Sequence, residues 1–193
     1  FDKIDNEHYD LAREGGHTEK RILHHKDITG WEIERVLLEA VLKHPNIQIL
    51  EHHFTIDIIT QHHLGEIVTS QRTDIECYVA YVLNKQTNEI CTILSKITVI
   101  ATGGIGQAYA VTTNPSVATG DGIAMFYRAK GLVRDMEFVQ FHPTALYEGK
   151  NNEQSFLITE AIRGFGAILR NRKGEAFMEK YDERKELAPR DVV

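Results

Sequence analysis

The sequence predicts an α/β fold, and three observations lead to that prediction. A stretch after Thr29 repeats apolar residues at helical spacing. Several short runs are rich in Ile, Val and Tyr and are separated by polar stretches, as strands are. Residues 97–101 form a β-branched apolar run that leads directly into glycines, the pattern of a buried strand that ends near a ligand.

One helix is predicted in the first part of the chain. Residues 1–28 are polar and are predicted to form a loop. Thr29 and Glu32 have capping-box spacing, and an apolar stripe at helical spacing follows them. The helix is predicted to end near His44, because the residue before Pro45 disfavours helical geometry.

Four strands are predicted next, at residues 47–50, 54–59, 77–83 and 90–94. The last two are expected to form a hairpin. A turn centred near Gln86 places Cys91 opposite Tyr81, so Cys91 would not face Cys77 and no disulfide is expected. Two cysteines are also too few for a disulfide scaffold, which favours a reduced, cytoplasmic setting.

A second helical stretch is predicted to open at residues 120–122, with Ile123, Phe126 and Tyr127 on one face and Gly131 as its end. Residues 132–141 read as extended. The chain then becomes more polar, which suggests a domain boundary near Glu137. Three further features are expected: a helix start at Thr159, a turn at residues 173–174, and a final helix with Pro189 in its first turn.

Charge and composition exclude several classes of function. The formal net charge is −6, and the 22 Lys and Arg form no basic block, so nucleic acid is not an expected partner. No apolar run approaches the roughly 20 residues that a membrane helix needs, and the first residues lack the pattern of a signal peptide. Because the chain opens on Phe1 and stops at Val193, it is expected to be an internal fragment.

The glycines after residue 101 are the first candidate site. Without side chains, Gly103 and Gly104 would let a cofactor approach the backbone, but an ordinary tight turn explains them equally well. The dinucleotide fingerprint G-x-G-x-x-G is absent, because Tyr109 stands where its last glycine would be.

A polar set in the second half of the chain is the other candidate site. A dicarboxylate needs donors at each carboxylate, and this set offers imidazole, hydroxyl and guanidinium groups. Glu160 and Arg163 are three apart on a predicted helix and share a face. From spacing alone, a surface ion pair beside a loop histidine is the stronger interpretation. The set consists of His142, Thr159, Glu160, Arg163 and Arg190.

Metal binding is not expected from the sequence. The ten histidines include three pairs of adjacent residues, and adjacent side chains point apart on a helix or strand. No paired Cys and His spacing typical of a metal site occurs.

Nine motifs, in order along nearly the whole chain, resemble the L-aspartate oxidase family. Several of the later ones are shared with the wider succinate dehydrogenase and fumarate reductase flavoproteins. The motifs are REGGH (13–17), RILH (21–24), ATGG (101–104), TNP (113–115), GDG (120–122), FHPTALY (141–147), TEAIRG (159–164), DER (182–184) and LAPRD (187–191).

Two positions favour the oxidase over its relatives. Glu14 matches a glutamate that meets the substrate's amino group in the oxidases, and a carboxylate is the natural partner of an ammonium. Ala145 stands where dehydrogenases and reductases typically have glycine. A fumarate reductase or succinate dehydrogenase flavoprotein is the alternative.

The resemblance also implies an architecture and a cofactor. Residues 1–137 would be part of an FAD-binding Rossmann-like domain that lacks its amino-terminal fingerprint, and residues 138–193 the start of an α+β capping domain that handles substrate. Gly103, Gly104 and Asp121 match segments that approach FAD.

Roles follow from the same resemblance. His142, Thr159 and Glu160 match substrate-site residues, Arg190 matches the acid or base at the substrate carbon, and Arg163 and Glu160 match its proton relay. The implied reaction is oxidation of L-aspartate to iminoaspartate in NAD biosynthesis, with fumarate or oxygen as acceptor. Whether quinolinate synthase binds is left open.

This chain departs from the family's pattern in two ways. Phe165 replaces a common glutamate. Flavin-binding segments and a further substrate histidine and arginine are missing, so the chain alone is expected to be inactive.

Overall fold

A computed structural model describes residues 1–13, 17–142, 144–147, 149 and 154–193 of the chain. The elements are β1 (Leu11–Ala12), β2 (Ile22–Leu23), α1 (Thr29–Lys43), β3 (His53–Thr60), β4 (Cys77–Asn84), β5 (Glu89–Leu94), α2 (Asp121–Arg128) and α3 (Ala161–Gly164). Four 3₁₀ turns accompany them, at Gln61–Leu64, Gly106–Ala108, Met178–Lys180 and Lys185–Leu187. None of the described helices is both long and apolar enough to cross a bilayer.

The chain divides into two compact units. Unit 1 consists of Phe1–Gln48, Gln140–Gly149 and Ser155–Val193, and unit 2 consists of Ile49–Val139 with Lys150–Gln154. Unit 1 contains β1, β2, α1 and α3, whereas unit 2 contains the larger sheet and α2. The domain boundary near Glu137 concerns the domains of the whole protein and stays a prediction.

Helix α1 confirms the helix predicted after Thr29, but the predicted capping box is wrong. The N-cap is Ile28, and the Thr29 hydroxyl accepts the backbone N–H of His25 at 2.9 Å instead of capping the helix. Glu32 is also engaged elsewhere, because its carboxylate pairs with Arg35 at 2.7 Å. A local turn and an i,i+3 ion pair therefore use both side chains that the capping box needed.

The antiparallel sheet β3-β4-β5 confirms three of the four predicted strands and the hairpin. Residues 47–50 form no strand. The predicted hairpin register is wrong by one residue, because Cys91 lies opposite Val82. The loop between the paired residues Asn84 and Glu89 has four residues, so its centre lies after Gln86. Both cysteines are free, as predicted.

Helix α2 confirms the second predicted helix, but it ends earlier than predicted, and the apolar face noted in the sequence is not its buried face. The buried residues are Gly122 and Met125, whereas Phe126 and Tyr127 are exposed. Met125 packs with Ile58 and Ala129 in the core of unit 2. The helix ends at Arg128, before the predicted Gly131.

The strand predicted at residues 97–101 is wrong, since this segment has no ladder partner in the described part of the chain. Ile97 and Val99 are exposed there. A strand exists only where a neighbour completes its hydrogen bonds, and the apolar pattern cannot supply that neighbour. Residues 132–141 also form no strand, and a turn at residues 136–137 interrupts them.

Short elements dominate the rest of unit 1. The described residues among 1–28 are mostly loop as predicted, with the two-residue pair β1-β2 and an isolated bridge between Lys3 and Tyr9. The turn at residues 173–174 is confirmed, with Gly174 at φ 81. The predicted final helix is only a turn, in which Val192 N–H donates to the Pro189 carbonyl.

Candidate active site

Glu160 and Arg163 form a buried ion pair at helix α3. Glu160 is the N-cap residue with helical angles, so Arg163 lies one turn further along the same face. Arg163 Nη2 lies 3.3 Å from Glu160 Oε1, which is the contact that their spacing predicted. The Glu160 side chain is only 8% exposed and the Arg163 side chain only 3%, so this is not the surface ion pair that spacing alone favoured.

The Arg163 guanidinium is fixed from a second direction. Its Nη1 donates to the backbone carbonyl of Glu186 at 3.0 Å and to that of Ala188 at 3.5 Å. Both carbonyls belong to the segment that precedes Arg190. Arg163 therefore links α3 to the chain that carries the second arginine of the set.

Arg190 makes the shortest contact with the same carboxylate. Its Nε lies 2.6 Å from Glu160 Oε1, and its Nη1 donates to Gln140 Oε1 at 2.9 Å. Two acceptors in different directions define the plane of a guanidinium, which a single contact cannot do. The Arg190 side chain is 34% exposed, so one part of it remains reachable.

His142 approaches Glu160 from the opposite segment. Its Nε2 lies 3.7 Å from Glu160 Oε1, and its Nδ1 accepts the backbone N–H of Thr144 at 3.2 Å. A short antiparallel bridge between Ala145 and Leu157 holds this segment beside the start of α3. The structure thus brings four of the five residues of the predicted set around one carboxylate oxygen. We call Glu160, Arg163, Arg190 and His142 the Glu160 cluster.

Charge in the Glu160 cluster follows from its contacts. Burial raises the pKa of Glu160, but the hydrogen bond from Arg190 and the charges of Arg190 and Arg163 outweigh it, so the pKa lies below its ordinary value. For His142, burial lowers the pKa and the charge of Glu160 raises it, but burial together with the charges of the two arginines keeps the pKa below its ordinary value. At neutral pH the cluster holds two guanidinium ions, one carboxylate and a neutral imidazole, with a net charge of +1.

Thr159, another predicted substrate residue, is not part of the Glu160 cluster. Thr159 is exposed, and its hydroxyl accepts the N–H of Ala161 at 3.3 Å, which leaves its proton available to donate. Glu14 lies outside the described residues. Its neighbour Arg13 lies against α3, because a Cβ on Gly164 would be 2.8 Å from the Arg13 carbonyl oxygen.

The predicted glycine site belongs to unit 2. Gly103 has φ +77, and a Cβ built on Gly103 or Gly104 meets nothing within 4 Å, so the backbone is open on that side. Gly122 allows the first turn of α2 to pack on this segment, since a Cβ there would collide with the Thr102 hydroxyl. Asp121 lies in that first turn. An open backbone beside a helix start fits a ligand with anionic groups.

Sequence reasoning missed two residues that contact the cluster. Gln140 holds Arg190, and Thr144 holds His142. Both residues lie two positions from His142. In an extended chain, residues two positions apart point to the same side, so the spacing from His142 could have predicted these two contacts. In the described part of the chain, no group of His, Cys, Asp and Glu could hold a metal ion.

The Glu160 cluster of unit 1 has the charge to hold an anion, and the open glycine backbone of unit 2 fits a ligand with anionic groups, a pairing of features typical of cofactor-dependent enzymes. The family described as "FAD binding domain" matches residues 1–193, so the chain belongs to that family, and FAD is its cofactor. The mixed helix and sheet content predicted from the sequence is confirmed.

Particular relatives are similar over the whole chain. It is 53% identical to L-aspartate oxidase 2-b, chloroplastic, of Nicotiana tabacum, across 100% of this chain and 30% of the relative. It is 46% identical to L-aspartate oxidase of Vibrio cholerae, across 100% of this chain and 36% of the relative. The solved E. coli quinol fumarate reductase superposes with a TM-score of 0.83 at 30% identity, over 100% of this chain and 32% of that one. The chain thus spans about a third of the length of these proteins.

Proposed function

We propose that the whole protein is an L-aspartate oxidase, which oxidises L-aspartate to iminoaspartate with FAD. The observation that carries the proposal is the Glu160 cluster, where two arginines and a histidine meet a single buried carboxylate. The resemblance of REGGH at residues 13–17 and the identity to the tobacco and Vibrio oxidases support the choice of aspartate.

Charge supports an anionic substrate at this cluster. L-Aspartate carries two carboxylates and one ammonium, so its net charge of −1 at neutral pH complements the +1 of the cluster. His142 Nε2 and the Thr159 hydroxyl are donors for a substrate carboxylate, and Glu160 shapes the site by holding both arginines. Glu14 is proposed as the partner of the ammonium, and the position of Arg13 against α3 supports it.

The residues of the cluster also suit proton transfer. Oxidation of aspartate removes a hydride from the α-carbon and one proton from the substrate. We propose that Arg190 first gives one of its own protons to the relay formed by Glu160 and Arg163 and then takes the substrate proton in its place, since both arginines contact the same oxygen, Glu160 Oε1, at 2.6 and 3.3 Å. Arg190 as a base is unusual, because a guanidinium gives up its proton reluctantly.

FAD, when bound, would accept the hydride, and fumarate or oxygen would take the electrons afterwards. We propose that Gly103 and Gly104 offer their open backbone to it, with Asp121 at the start of α2 beside them. Residues 138–193 would begin an α+β capping domain, after an FAD-binding portion over residues 1–137. A cytoplasmic location and an interaction with quinolinate synthase stay predictions, and the plant relatives are named chloroplastic.

A fumarate reductase or succinate dehydrogenase flavoprotein is the second candidate, favoured by the superposition on quinol fumarate reductase. The same arginines and histidine suit any dicarboxylate. The two candidates differ at the amino group, which only aspartate has.

The full-length protein with FAD separates the candidates. We expect aspartate, but not succinate, to bleach the flavin absorbance. Glu14→Gln should raise the KM for aspartate at least about tenfold, because a hydrogen bond to a charged group contributes roughly 1.5 to 3 kcal/mol. Fumarate reduction by the variant should stay within about twofold of the wild type, because fumarate has no ammonium for Glu14 to hold.

Succinate oxidation without aspartate oxidation would overturn the proposal in favour of the second candidate. The isolated 193-residue chain is a control. We expect it to show neither flavin absorbance nor turnover.

A further inference from the structure

The hydrogen bond at His142 Nδ1 determines where the imidazole carries its proton. A backbone N–H can only donate, so Nδ1, which accepts from Thr144 at 3.2 Å, must present its lone pair. The Thr144 hydroxyl also lies 3.5 Å from Nδ1, but its proton is directed to the Ile158 carbonyl. In the neutral ring the proton therefore sits on Nε2, the nitrogen that faces the Glu160 cluster.

Thr144 is itself held against the segment that leads into α3. Its hydroxyl donates to the Ile158 carbonyl at 2.9 Å, and the Ile158 N–H donates to the Thr144 carbonyl at 2.9 Å. Ile158 immediately precedes Thr159 and Glu160. Thr144 therefore joins the segment of His142 to the segment of the carboxylate.

We propose that Thr144 is a positioning residue that holds His142 as a neutral Nε2–H donor aimed at a substrate carboxylate. The inference rests on the proposed function insofar as it assigns a dicarboxylate to the Glu160 cluster. It adds a role for Thr144 and a protonation state for His142 in substrate binding.

Burial of His142 favours the same neutral state, and the charges of the two arginines add to this effect. Glu160, Arg163 and Arg190 face the ring, and burial together with the two arginines holds the pKa of His142 below its usual 6.5. Protonation would place a hydrogen on Nδ1, directly opposite the Thr144 N–H, so two donors would face each other. Dicarboxylate binding should therefore persist at neutral pH and weaken only below pH 6.5.

Thr144→Val in the full-length protein with FAD tests the role of the hydroxyl. Valine keeps the shape of threonine and all backbone hydrogen bonds, but the hydrogen bond from the hydroxyl to the Ile158 carbonyl is lost. We expect the KM for aspartate and the Kd for succinate to rise about fivefold, the size expected for one neutral hydrogen bond, with kcat changed less than about twofold. The acidic limb of kcat/KM should move to higher pH, and Thr144→Ser should restore both values.

Thr29→Val is the matched control in the same unit, since the Thr29 hydroxyl also bonds to backbone, at His25. It should lower the urea midpoint without changing KM or the acidic limb. If Thr144→Val leaves KM, Kd and the acidic limb unchanged, or shifts them no more than Thr29→Val does, Thr144 is not a positioning residue.

Substitution of His142 tests the tautomer separately, whether or not Thr144→Val folds. A glutamine amide can donate from the place of Nε2, and an asparagine amide only from the place of Nδ1. We expect His142→Gln to bind succinate at least about fivefold more tightly than His142→Asn, the size of one hydrogen bond, and to lack the acidic limb. If the two variants bind succinate equally well, or if His142→Asn binds it more tightly, the inference is overturned. Succinate binding needs no turnover, so His142→Gln can bind succinate more tightly than His142→Asn even if the protein does not oxidise aspartate. That combination of results would contradict the proposed function but not the role of His142.

Discussion

The two units differ in the side chains that they bury. The core of unit 2 is apolar, with Ile58, Met125 and Ala129 packed together, and such burial stabilises a fold by about 25 cal/mol per Å². Unit 1 buries Glu160 and Arg163, whose removal from water costs several kcal/mol per ion unless contacts compensate for it. Because the attraction within a buried ion cluster does little more than offset this desolvation cost, stability alone does not explain why unit 1 buries charges. We infer that unit 1 keeps them for function.

Exposed ion pairs in the same chain make the contrast sharper. Arg128 pairs with Asp57 in unit 2 and Arg35 with Glu39 in unit 1, at 2.9 Å in each case, and all four groups remain partly open to water. Pairs of that kind are screened and contribute about 0 to 1 kcal/mol. Only the Glu160 cluster combines short contacts with deep burial among the described ion pairs, and its variants should therefore behave differently from those of surface pairs.

Replacement of the second arginine should have the largest effect. Arg190→Lys keeps the charge, but one ammonium cannot reproduce two donors in a plane toward Glu160 and Gln140. We expect kcat for L-aspartate to fall at least about 10³-fold, within the range that general acid–base groups contribute. The measurement is the rate of flavin reduction in the full-length protein.

Arg72→Lys is the control for that substitution. Arg72 forms a comparable fork, with contacts to Glu66 and Asp74, on the surface of unit 2. Its replacement should leave kcat unchanged. Near-normal turnover in Arg190→Lys would remove Arg190 from the mechanism.

Glu160→Gln should have the next largest effect, on stability. The amide keeps the size of the side chain but leaves Arg163 without a buried counter-charge. We expect the free energy of unfolding in urea to fall by about 3 kcal/mol. Glu39→Gln removes an exposed partner of Arg35 and should cost less than about 0.5 kcal/mol. Equal losses in the two variants would mean that the Glu160 cluster behaves as a surface pair.

The pH dependence of that difference has a defined sign. Because the pKa of Glu160 is lowered from 4.5 in the folded protein, the carboxylate stabilises the fold fully above pH 4.5. This contribution is lost as the pH falls through the folded pKa. The stability difference between the wild type and Glu160→Gln should therefore shrink below pH 4.5 and stay constant above it.

The sequence predicts those features whose physical cause is local. Helix α1 and the hairpin β4-β5 follow from side-chain periodicity and a short turn, and the contact between Glu160 and Arg163 follows from helix geometry. The segment 97–101 has an equally clear strand pattern but forms no strand, because pairing depends on a neighbour that the pattern does not specify.

The Glu160 cluster needed more than spacing. His142 and Arg190 are distant in sequence from Glu160 and no periodicity links them, so the donor chemistry that a dicarboxylate needs suggested the group and the motif resemblance supported it. The Thr29 cap failed for a related reason. The Thr29 hydroxyl accepts a hydrogen bond from the His25 N–H instead of capping the helix, and this competition between two donors is visible only in three dimensions.

The smallest expected effect concerns the apolar core of unit 2. Ile58→Val removes one buried methylene and should lower the free energy of unfolding by about 1 kcal/mol, whereas Ile56→Val, at an exposed position of β3, should change it by less than about 0.5 kcal/mol. Neither variant should alter the KM for aspartate, because the Glu160 cluster belongs to unit 1. A KM that changes with Ile58→Val would contradict the separation of roles, since packing in unit 2 would then influence the geometry of the buried charges.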